Sequence, residues 1–206
     1  MACDRFRPSR IHTTVSASSA FAIDIPETLL ARARRGERSA QEQIYRHFER
    51  PVYTLALRMT GDPEDALDIL QNTMLRVLDK LSEFRGDSPL WGWLRQIAIN
   101  ETLMRLRQRG RLHYTDEPLE PESDDTDDML LPPAAADAAT LVRVLARLPD
   151  TTRSVLWLYH GEGYSHPEIA ALLGRTVSFS KSQLARGLSR LRAELGITLS
   201  EAAEHA

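Results

Sequence analysis

The sequence predicts an all-α protein built from two small helical domains. Apolar residues recur at spacings of three and four through residues 27–111 and again from residue 138, which is the period of helices that bury one face. Between these stretches, residues 113–137 combine a run of acidic residues with four prolines, and such a segment buries too little apolar surface to fold alone. We therefore expect domains at residues 27–112 and 138–198, joined by an acidic flexible linker at residues 113–137.

Turns divide the N-terminal domain into its helices. Gly, Asp and Pro cluster at residues 61–63 and 86–89, and these residue types favour turns and helix starts. Residues 1–26 show no sustained period and end at Pro26, so we expect either a disordered tail there or a misassigned start of the chain. The apolar residues that the helical period places in the core are Leu29, Leu30, Ala33, Ile44, Phe48, Val52, Leu55, Met59, Ala66, Ile69, Leu70, Met74, Val77, Leu78, Leu81, Leu94, Ile97, Ala98 and Leu103.

Two adjacent helix signals mark the C-terminal domain. Ser165 and Glu168 have the spacing of a capping box, and Gly174 supplies the positive φ at which a helix ends sharply. Thr176 is a suitable N-cap for a second helix. The residues predicted on the buried face of that helix are Val177, Leu184, Leu188, Leu191 and Leu195. This pattern is typical of a helix-turn-helix, in which the second helix enters the major groove of DNA.

The other face of this second helix is basic and polar. Lys and Arg side chains release counterions when they neutralise DNA phosphates, and Ser, Gln and Arg reach base edges in the major groove. Phe179 could contact a thymine methyl group or pack on the neighbouring helix. The whole segment could also be an ordinary amphipathic surface helix whose charges are solvated. The candidate DNA-binding residues are Arg175, Ser178, Phe179, Lys181, Ser182, Gln183 and Arg186.

Aromatic and basic residues also come together in the N-terminal domain. Phe84, Trp91 and Trp93 precede a helix end rich in arginine, at residues 105–111. Unpaired bases stack on aromatic rings, and their phosphates need positive charge. Two residues that are two apart point to different sides of a helix, so at least one tryptophan should be in the core, and we expect it to be Trp93. The arginines could instead form a solvated helix end that complements the helix dipole.

Composition sets limits on the class of protein. The net charge is −3, but residues 113–139 hold nine acidic residues and no Lys or Arg, so the rest of the chain is positive and nucleic acid is not excluded as a partner. A single cysteine, Cys3, permits no intramolecular disulfide. No apolar run is long enough to span a membrane, and no secretory signal is evident. We expect a cytoplasmic protein that does not insert into membranes.

The sequence gives no indication of an enzyme. The six histidines have no metal-ligand spacing, and no glycine-rich loop could hold a phosphate. His160 and His166 flank a glycine-containing turn, and we interpret them as surface-loop and helix-start residues. We therefore predict no catalytic residues, no metal and no cofactor.

Three motifs in sequence order resemble the extracytoplasmic-function (ECF) sigma factors, the two-domain group of the sigma-70 family of bacterial transcription initiation factors. The resemblance runs from about Leu29 to Leu195. The motif GDPEDALDILQNTMLRV at residues 61–77 is similar to the acidic helix by which the family binds the clamp helices of the polymerase β′ subunit. Residues 84–100 are similar to the segment that melts and captures the minus-ten element. Residues 148–182 resemble the domain that reads the minus-thirty-five element.

The resemblance implies a function, partners and site residues. It implies an initiation factor that binds core RNA polymerase and directs it to specific promoters, with sigma region 2 at residues 27–112 and sigma region 4 at residues 138–198. The partners implied are core RNA polymerase, promoter DNA and an anti-sigma factor or other regulator. The implied polymerase contacts are Asp65, Asp68 and Gln71. The implied minus-ten contacts are Arg85, Trp91, Asn100, Arg105 and Arg107.

The chain departs from the family pattern in places. The recognition helix opens with SFSKSQ at residues 178–183, where the family usually has a run of the type GTVKSR. Gln96 and Ile99 stand where family members often have basic residues. The alternative class is a helix-turn-helix transcriptional regulator that acts without polymerase docking, although the sequence shows no receiver-like alternation of strands and helices and no evident ligand domain.

Overall fold

The computed structural model describes residues 25–86, 88–110 and 138–195. Every regular element within these ranges is helical, as the sequence predicts. The predicted linker, nearly all of the predicted tail, Asp87, Arg111 and the last residues of the second domain lie outside the described residues.

The first turn motif separates two long helices of the N-terminal half. The helix Arg38–Thr60 (α2) ends at Gly61, whose φ of 67° is the left-handed conformation that glycine adopts readily. Asp62 then caps the helix Pro63–Lys80 (α3), because its Oδ1 accepts from the backbone nitrogens of Glu64 at 2.9 Å and Asp65 at 3.2 Å. The turn predicted at residues 61–63 is therefore confirmed. The helices of this half are α1 (Glu27–Arg34), α2 (Arg38–Thr60), α3 (Pro63–Lys80) and α4 (Leu90–Gln108), with a 3₁₀ turn at Leu81–Glu83.

The core of the N-terminal half follows the helical period of the sequence. All of the apolar residues predicted to be in the core are buried except Leu78 and Ile97, which are half-buried. α2 lies centrally and packs against α1, α3 and α4. The arrangement leaves the outer faces of α3 and α4 to present polar side chains.

The predicted helix-turn-helix is present in the C-terminal half. Ser165 and Glu168 form the capping box, in which the Glu168 carboxylate accepts from the Ser165 amide at 2.8 Å. Gly174 has a φ of 67°, and the Thr176 hydroxyl accepts from the Phe179 amide at 3.2 Å, which caps the next helix. The helices of this half are α5 (Ala138–Arg147), α6 (Asp150–Leu156), α7 (His166–Leu173) and α8 (Val177–Leu195), with a π-helical turn at Trp157–Gly161.

The buried face of α8 differs in part from the prediction. Val177, the first residue of the helix, is exposed. Ser180, Gln183 and Gly187 lie on the buried face with Leu184, Leu188 and Leu191, while Leu195 is half-buried. A Cβ atom on Gly187 would lie 2.4 Å from Leu156 Cδ1, so the glycine allows α8 to approach α6 closely.

The two halves of the chain are in contact. α2 packs against α5 and α6, and buried apolar residues of both halves form one continuous cluster. Arg153 of α6 is buried and donates from Nε to the carbonyl oxygen of Met59 at 3.1 Å, while its Nη2 donates to the carbonyl of Thr60. The end of α2 is therefore bonded to the C-terminal half.

Candidate protein and nucleic-acid interfaces

The acidic residues of α3 fall into a buried and an exposed group. Asp65 is fully buried, and its Oδ1 accepts from Arg105 Nε at 2.7 Å and from Arg109 Nη2 at 2.8 Å. Asp68 is half-exposed and accepts from Arg105 Nη2 at 2.6 Å, and Gln71 is exposed. Of the three residues implied as polymerase contacts, only Asp68 and Gln71 present surface to a partner.

Two exposed leucines flank these polar residues. Leu67 is 51% exposed and Leu75 is 68% exposed. They lie four residues on either side of Gln71, and residues spaced by four share one face of a helix. Neither leucine was predicted as a contact residue from the sequence, although both lie outside the buried stripe of α3, which was a usable signal. The outer face of α3 is thus mainly polar, with two exposed leucines on one stripe beside Gln71 and Asp68.

Replacing Asp65 with asparagine should lower the stability of the fold, because it removes the charge that pairs with two arginines. Breaking a fully buried ion pair typically costs about 3–5 kcal/mol of unfolding free energy. Because Arg105 and Arg109 are each about a third exposed, we expect a smaller loss of about 2 kcal/mol. Asp68→Asn, at a half-exposed pair, should cost about 0.5 kcal/mol or less. Urea unfolding of both variants measures the difference. Equal stabilities would show that the ion pairs of Asp65 do not stabilise the fold more than the ion pair of Asp68.

The two tryptophans are placed opposite to our expectation. Trp91 is 5% exposed and stacks on Phe48, with ring centroids 5.9 Å apart and planes 5° from parallel. Trp93 is half-buried and packs against Phe84 with a centroid distance of 5.2 Å. The prediction that Trp93 is the core residue was therefore wrong, and Trp93 is the ring that has surface available for a base.

The arginines of α4 have different surroundings. Arg105 is bound to Asp65 and Asp68, and the hydrogen bond to Asp65 is the main reason why the pKa of Arg105 is raised above its ordinary value. Arg107 is exposed but donates from Nη2 to the carbonyl oxygen of Leu172 at 2.9 Å. Asn100 is half-buried, and Arg85 is exposed. The candidate minus-ten residues are thus not one continuous surface in this structure.

The outer face of α8 brings together most of the predicted DNA-binding residues. Ser178 is exposed, and Lys181, Ser182 and Arg186 are half-buried. Phe179 is half-buried, packs on the core and lies under the guanidinium of Arg175 at 5.8 Å from its ring centroid. Of the two alternatives for Phe179, the structure therefore shows packing. Gln183 is buried and accepts from the Thr152 hydroxyl at 2.7 Å, which removes it from the outer face.

His166 is the first residue of α7, as expected for a helix-start residue, and its side chain is buried. Its Nδ1 is 2.9 Å from Ser180 Oγ, and its ring stacks on Tyr159 with a centroid distance of 4.7 Å. His160 is half-buried, and its pKa is lowered mainly by burial and further by the proximity of His166. These side chains pack the turn between α6 and α7, and they form part of the scaffold of the helix-turn-helix.

Polar side chains of α4 bond to the C-terminal half. Arg95 is buried, donates from Nη1 to the Glu162 carboxylate at 3.2 Å, and lies over the ring of Tyr164. Tyr164 donates from its hydroxyl to Gln96 Oε1 at 3.0 Å. Burial raises the pKa of Glu162, while the interaction with Arg95 opposes the shift. The sequence offered no local signal for these pairs, because 67 or 68 residues separate their members.

Comparison with known proteins decides the family. A model of sigma-70 region 2 matches residues 44–112, and a model of sigma-70 region 4 matches residues 138–191. The ECF RNA polymerase sigma factor SigM of Mycobacterium tuberculosis is 36% identical over 172 residues, which cover 82% of this chain and 83% of SigM. The chain belongs to the sigma-70 family. Its ECF character is supported by that relative, since SigM is itself an ECF sigma factor.

Other sigma factors show the same likeness. The RNA polymerase sigma-E factor of Streptomyces coelicolor is 35% identical over 162 residues, which cover 78% of this chain and 88% of that factor. Among solved structures, the sigma factor RpoE of Bartonella quintana, in complex with the anti-sigma factor NepR, matches with a TM-score of 0.50 and 24% identity over 76% of this chain and 96% of its own. That match shows the fold. In this sigma factor, region 2 contains α2, α3 and α4, and region 4 contains α5 to α8.

None of the described helices of this sigma factor is both long and apolar enough to cross a membrane.

Proposed function

We propose that this chain is a transcription initiation factor that binds core RNA polymerase and directs it to specific promoters. The observation that supports this most strongly is that regions 2 and 4 occur in one chain and in order. A helix-turn-helix regulator that acts without polymerase would account for region 4 but would leave region 2 without a role. The proposed role is performed in the cytoplasm together with core polymerase, and this chain contributes binding and positioning without a catalytic step.

Docking on polymerase is assigned to the outer face of α3. The stripe of Leu67, Gln71 and Leu75 gives apolar area, and Asp68 gives a negative edge. Interfaces of this kind combine a small apolar centre with charges that select the partner. Asp65 is not part of this surface, because it is buried beneath Arg105 and Arg109.

Capture of the opened minus-ten strand is assigned to α4 and the segment before it. Trp93 provides the stacking surface, and Arg85, Asn100 and Arg107 are proposed as separate polar and cationic contacts. We remove Trp91 and Arg105 from the set, since Trp91 is in the core and Arg105 is bonded to the acids of α3. Base stacking and phosphate contacts are the interactions that hold single-stranded DNA without a paired partner.

Reading of the minus-thirty-five element is assigned to the outer face of α8. The N-terminal end of that helix carries Ser178, Lys181 and Ser182, and Arg186 follows one turn later on the same side. Recognition helices place such residues against base edges and flanking phosphates. Arg175 stands just before the helix, where a phosphate contact fits its position.

Lys181 and Arg186 should affect DNA binding in different ways. A residue that contacts only phosphate weakens binding to all promoters alike and reduces the salt dependence, whereas a residue that reads a base costs about 1–3 kcal/mol at one position. We expect Lys181→Ala to behave as the first and Arg186→Ala as the second. Binding of holoenzyme to promoter DNA, measured across salt and across single-base variants, separates these outcomes.

Gln183→Ala is the matched control for that experiment. Its side chain is buried against Thr152, so the variant should lose about 1–2 kcal/mol of stability, because the Thr152 hydroxyl is left without its partner. Base preference should remain unchanged. A changed base preference in Gln183→Ala, or unaltered binding in both Lys181→Ala and Arg186→Ala, would show that the outer face of α8 is not the reading surface.

Chromatin immunoprecipitation with mapping of transcription start sites tests the proposed function in the cell. We expect the bound sites to lie upstream of start sites and to share two short elements at fixed spacing. Bound sites that share only one element and bear no relation to start sites would favour the alternative regulator. An anti-sigma factor is a further expected partner from the family resemblance, and affinity purification of the intact chain tests it.

A further inference from the structure

Arg34, the last residue of α1, binds the segment that leads into α4. Its Nη2 donates to the carbonyl oxygen of Phe84, and its guanidinium carbon lies 5.5 Å from the centroid of the Phe84 ring. A guanidinium group stacks on aromatic faces and donates hydrogen bonds from a rigid planar fork. One side chain of α1 therefore holds both the backbone and the ring of Phe84.

Phe84 in turn contacts the tryptophan to which strand capture is assigned. Phe84 is buried, and its ring centroid lies 5.2 Å from that of Trp93, with the two planes 37° apart. Aromatic pairs at such distances have preferred relative orientations. Trp93 lies near the start of α4, and Pro89, which precedes that helix, provides no side-chain cap. A movement of Phe84 is therefore passed on to Trp93.

Packing between α1 and the segment is incomplete around this contact. A cavity of about 380 Å³ lies between them, and Glu27 and Leu30 of α1 line it together with Phe84 and Ser88 of the segment. The Glu27 carboxylate is mostly exposed and lies 3.6 Å from Arg34 Nη1, so this ion pair adds little. Among the described residues, Arg34 Nε is buried without a hydrogen-bond partner. The guanidinium is therefore oriented mainly by Phe84.

α1 has no role in the surfaces assigned above to polymerase or DNA. It also precedes the match to sigma-70 region 2, which begins at residue 44. The Arg34 side chain is only about a quarter exposed, and its charged group lies against Phe84. We therefore expect α1 to affect strand capture through Phe84, without a DNA contact of its own.

We propose that Arg34 is a positioning residue for capture of the opened minus-ten strand. Through Phe84, it holds Trp93 in the orientation in which the exposed part of the ring receives a base. This inference rests on the proposed function and gives α1 a part in it. Without the guanidinium, Trp93 is correctly oriented in only a fraction of the molecules, and the apparent affinity for the opened strand falls by that fraction.

The orientation of Trp93 can be followed in the full chain without polymerase. 5-Fluorotryptophan labels Trp91, Trp93 and Trp157, the three tryptophans of the sequence, and Trp93→Phe identifies the fluorine resonance of Trp93. We expect Arg34→Met to shift this resonance and to leave that of Trp157, in region 4, unchanged. A general loss of stability would not move the Trp93 resonance selectively. An unmoved Trp93 resonance would overturn the positioning role.

Promoter opening measures the functional consequence. Permanganate reactivity of thymines, in holoenzyme complexes on a promoter found by start-site mapping, gives the opened fraction. Arg34→Met should lower the opening equilibrium about fivefold and leave the affinity for core polymerase unchanged.

Arg32→Met is the matched control for Arg34→Met. It removes the same charge from the same helix, but Arg32 pairs with Glu37. We expect wild-type opening from Arg32→Met. Equal losses in Arg32→Met and Arg34→Met would show a general effect of charge and overturn the proposal.

Two further variants separate positioning from a direct contact with DNA. In a Trp93→Ala background, Arg34→Met should cause no further loss of opening, because the ring that Arg34 positions is absent. A second fivefold loss there would show that Arg34 acts independently of Trp93. Arg34→Lys keeps the charge but not the planar group, so it should lower opening about threefold even if Arg34→Met fails to fold. Wild-type opening by Arg34→Lys would overturn the positioning role.

Failure of this inference differs from failure of the proposed function. Normal opening by both the wild-type chain and Arg34→Met would overturn the role of Arg34 and leave the proposed function standing. Absence of opening by the wild-type chain with core polymerase would overturn the proposed function, whereas the fluorine spectra would still show whether Arg34 orients Trp93.

Discussion

Trp91→Ala is expected to destabilise this sigma factor by about 3–5 kcal/mol, because it empties a large buried site against Phe48. Trp93→Ala should lose far less stability, since that ring is half-buried. Its effect should fall on promoter opening, where loss of one stacked base costs about 1–3 kcal/mol. Urea unfolding measures the first effect, and permanganate reactivity of opened thymines in holoenzyme complexes measures the second.

Trp93→Phe is the control that separates loss of the aromatic ring from other effects of the substitution. Trp93→Phe keeps an aromatic face and should retain most of the opening activity that Trp93→Ala loses. Equal stability losses in the two alanine variants would contradict the assignment of Trp91 to the core. Normal opening by Trp93→Ala at full holoenzyme occupancy would remove Trp93 from the strand-capturing surface.

The docking surface on α3 should respond strongly to a double change. Asp68→Lys reverses the negative edge and Leu75→Ala removes exposed apolar area, so together they should weaken binding to core polymerase by about thirtyfold or more, the effect of losing hot-spot contacts. Leu75 is exposed, so its truncation should not affect folding. Titration of labelled sigma factor against core polymerase gives the affinity.

Glu49→Lys on α2 is the control for that double variant. It reverses an exposed acidic residue on a helix that the proposal does not place against polymerase. We expect wild-type affinity from it. If Glu49→Lys weakened polymerase binding equally, the effect of the double variant would be a general effect of charge. Unchanged polymerase binding by the double variant would exclude the outer face of α3 as the docking surface.

Local signals in the sequence predicted local structure well. The Ser165–Glu168 capping box, the left-handed Gly174 and the N-cap at Thr176 each depend on residues within a few positions of one another, and all three are present. Nearly all of the N-terminal residues that helical periodicity placed in the core are likewise buried, although the periodicity missed others, among them Trp91, Ile99 and Leu106. These signals act within a single turn of the backbone, so they can be recognised in the sequence without knowing how the helices pack.

Side-chain roles at the candidate site were harder to predict, because they depend on what packs against each helix. Trp91 belongs to the stripe that includes Leu94 and Ala98, and that spacing could have placed it in the core. The burial of Asp65 depends on Arg105 and Arg109, some forty residues away, and that of Gln183 depends on Thr152. Arg153 and Glu162 join the two halves, and no pattern in the sequence couples positions so distant.

Reconstituted transcription tests the central claim most directly. Purified core polymerase, the wild-type chain and fragmented genomic DNA are combined, and the 5′ ends of the transcripts are mapped. We expect transcripts that start at a limited set of sites, each preceded by the same two elements, and that disappear when the chain is omitted. Transcripts that are unchanged in position and number when the chain is left out would contradict the claim that it directs polymerase to promoters.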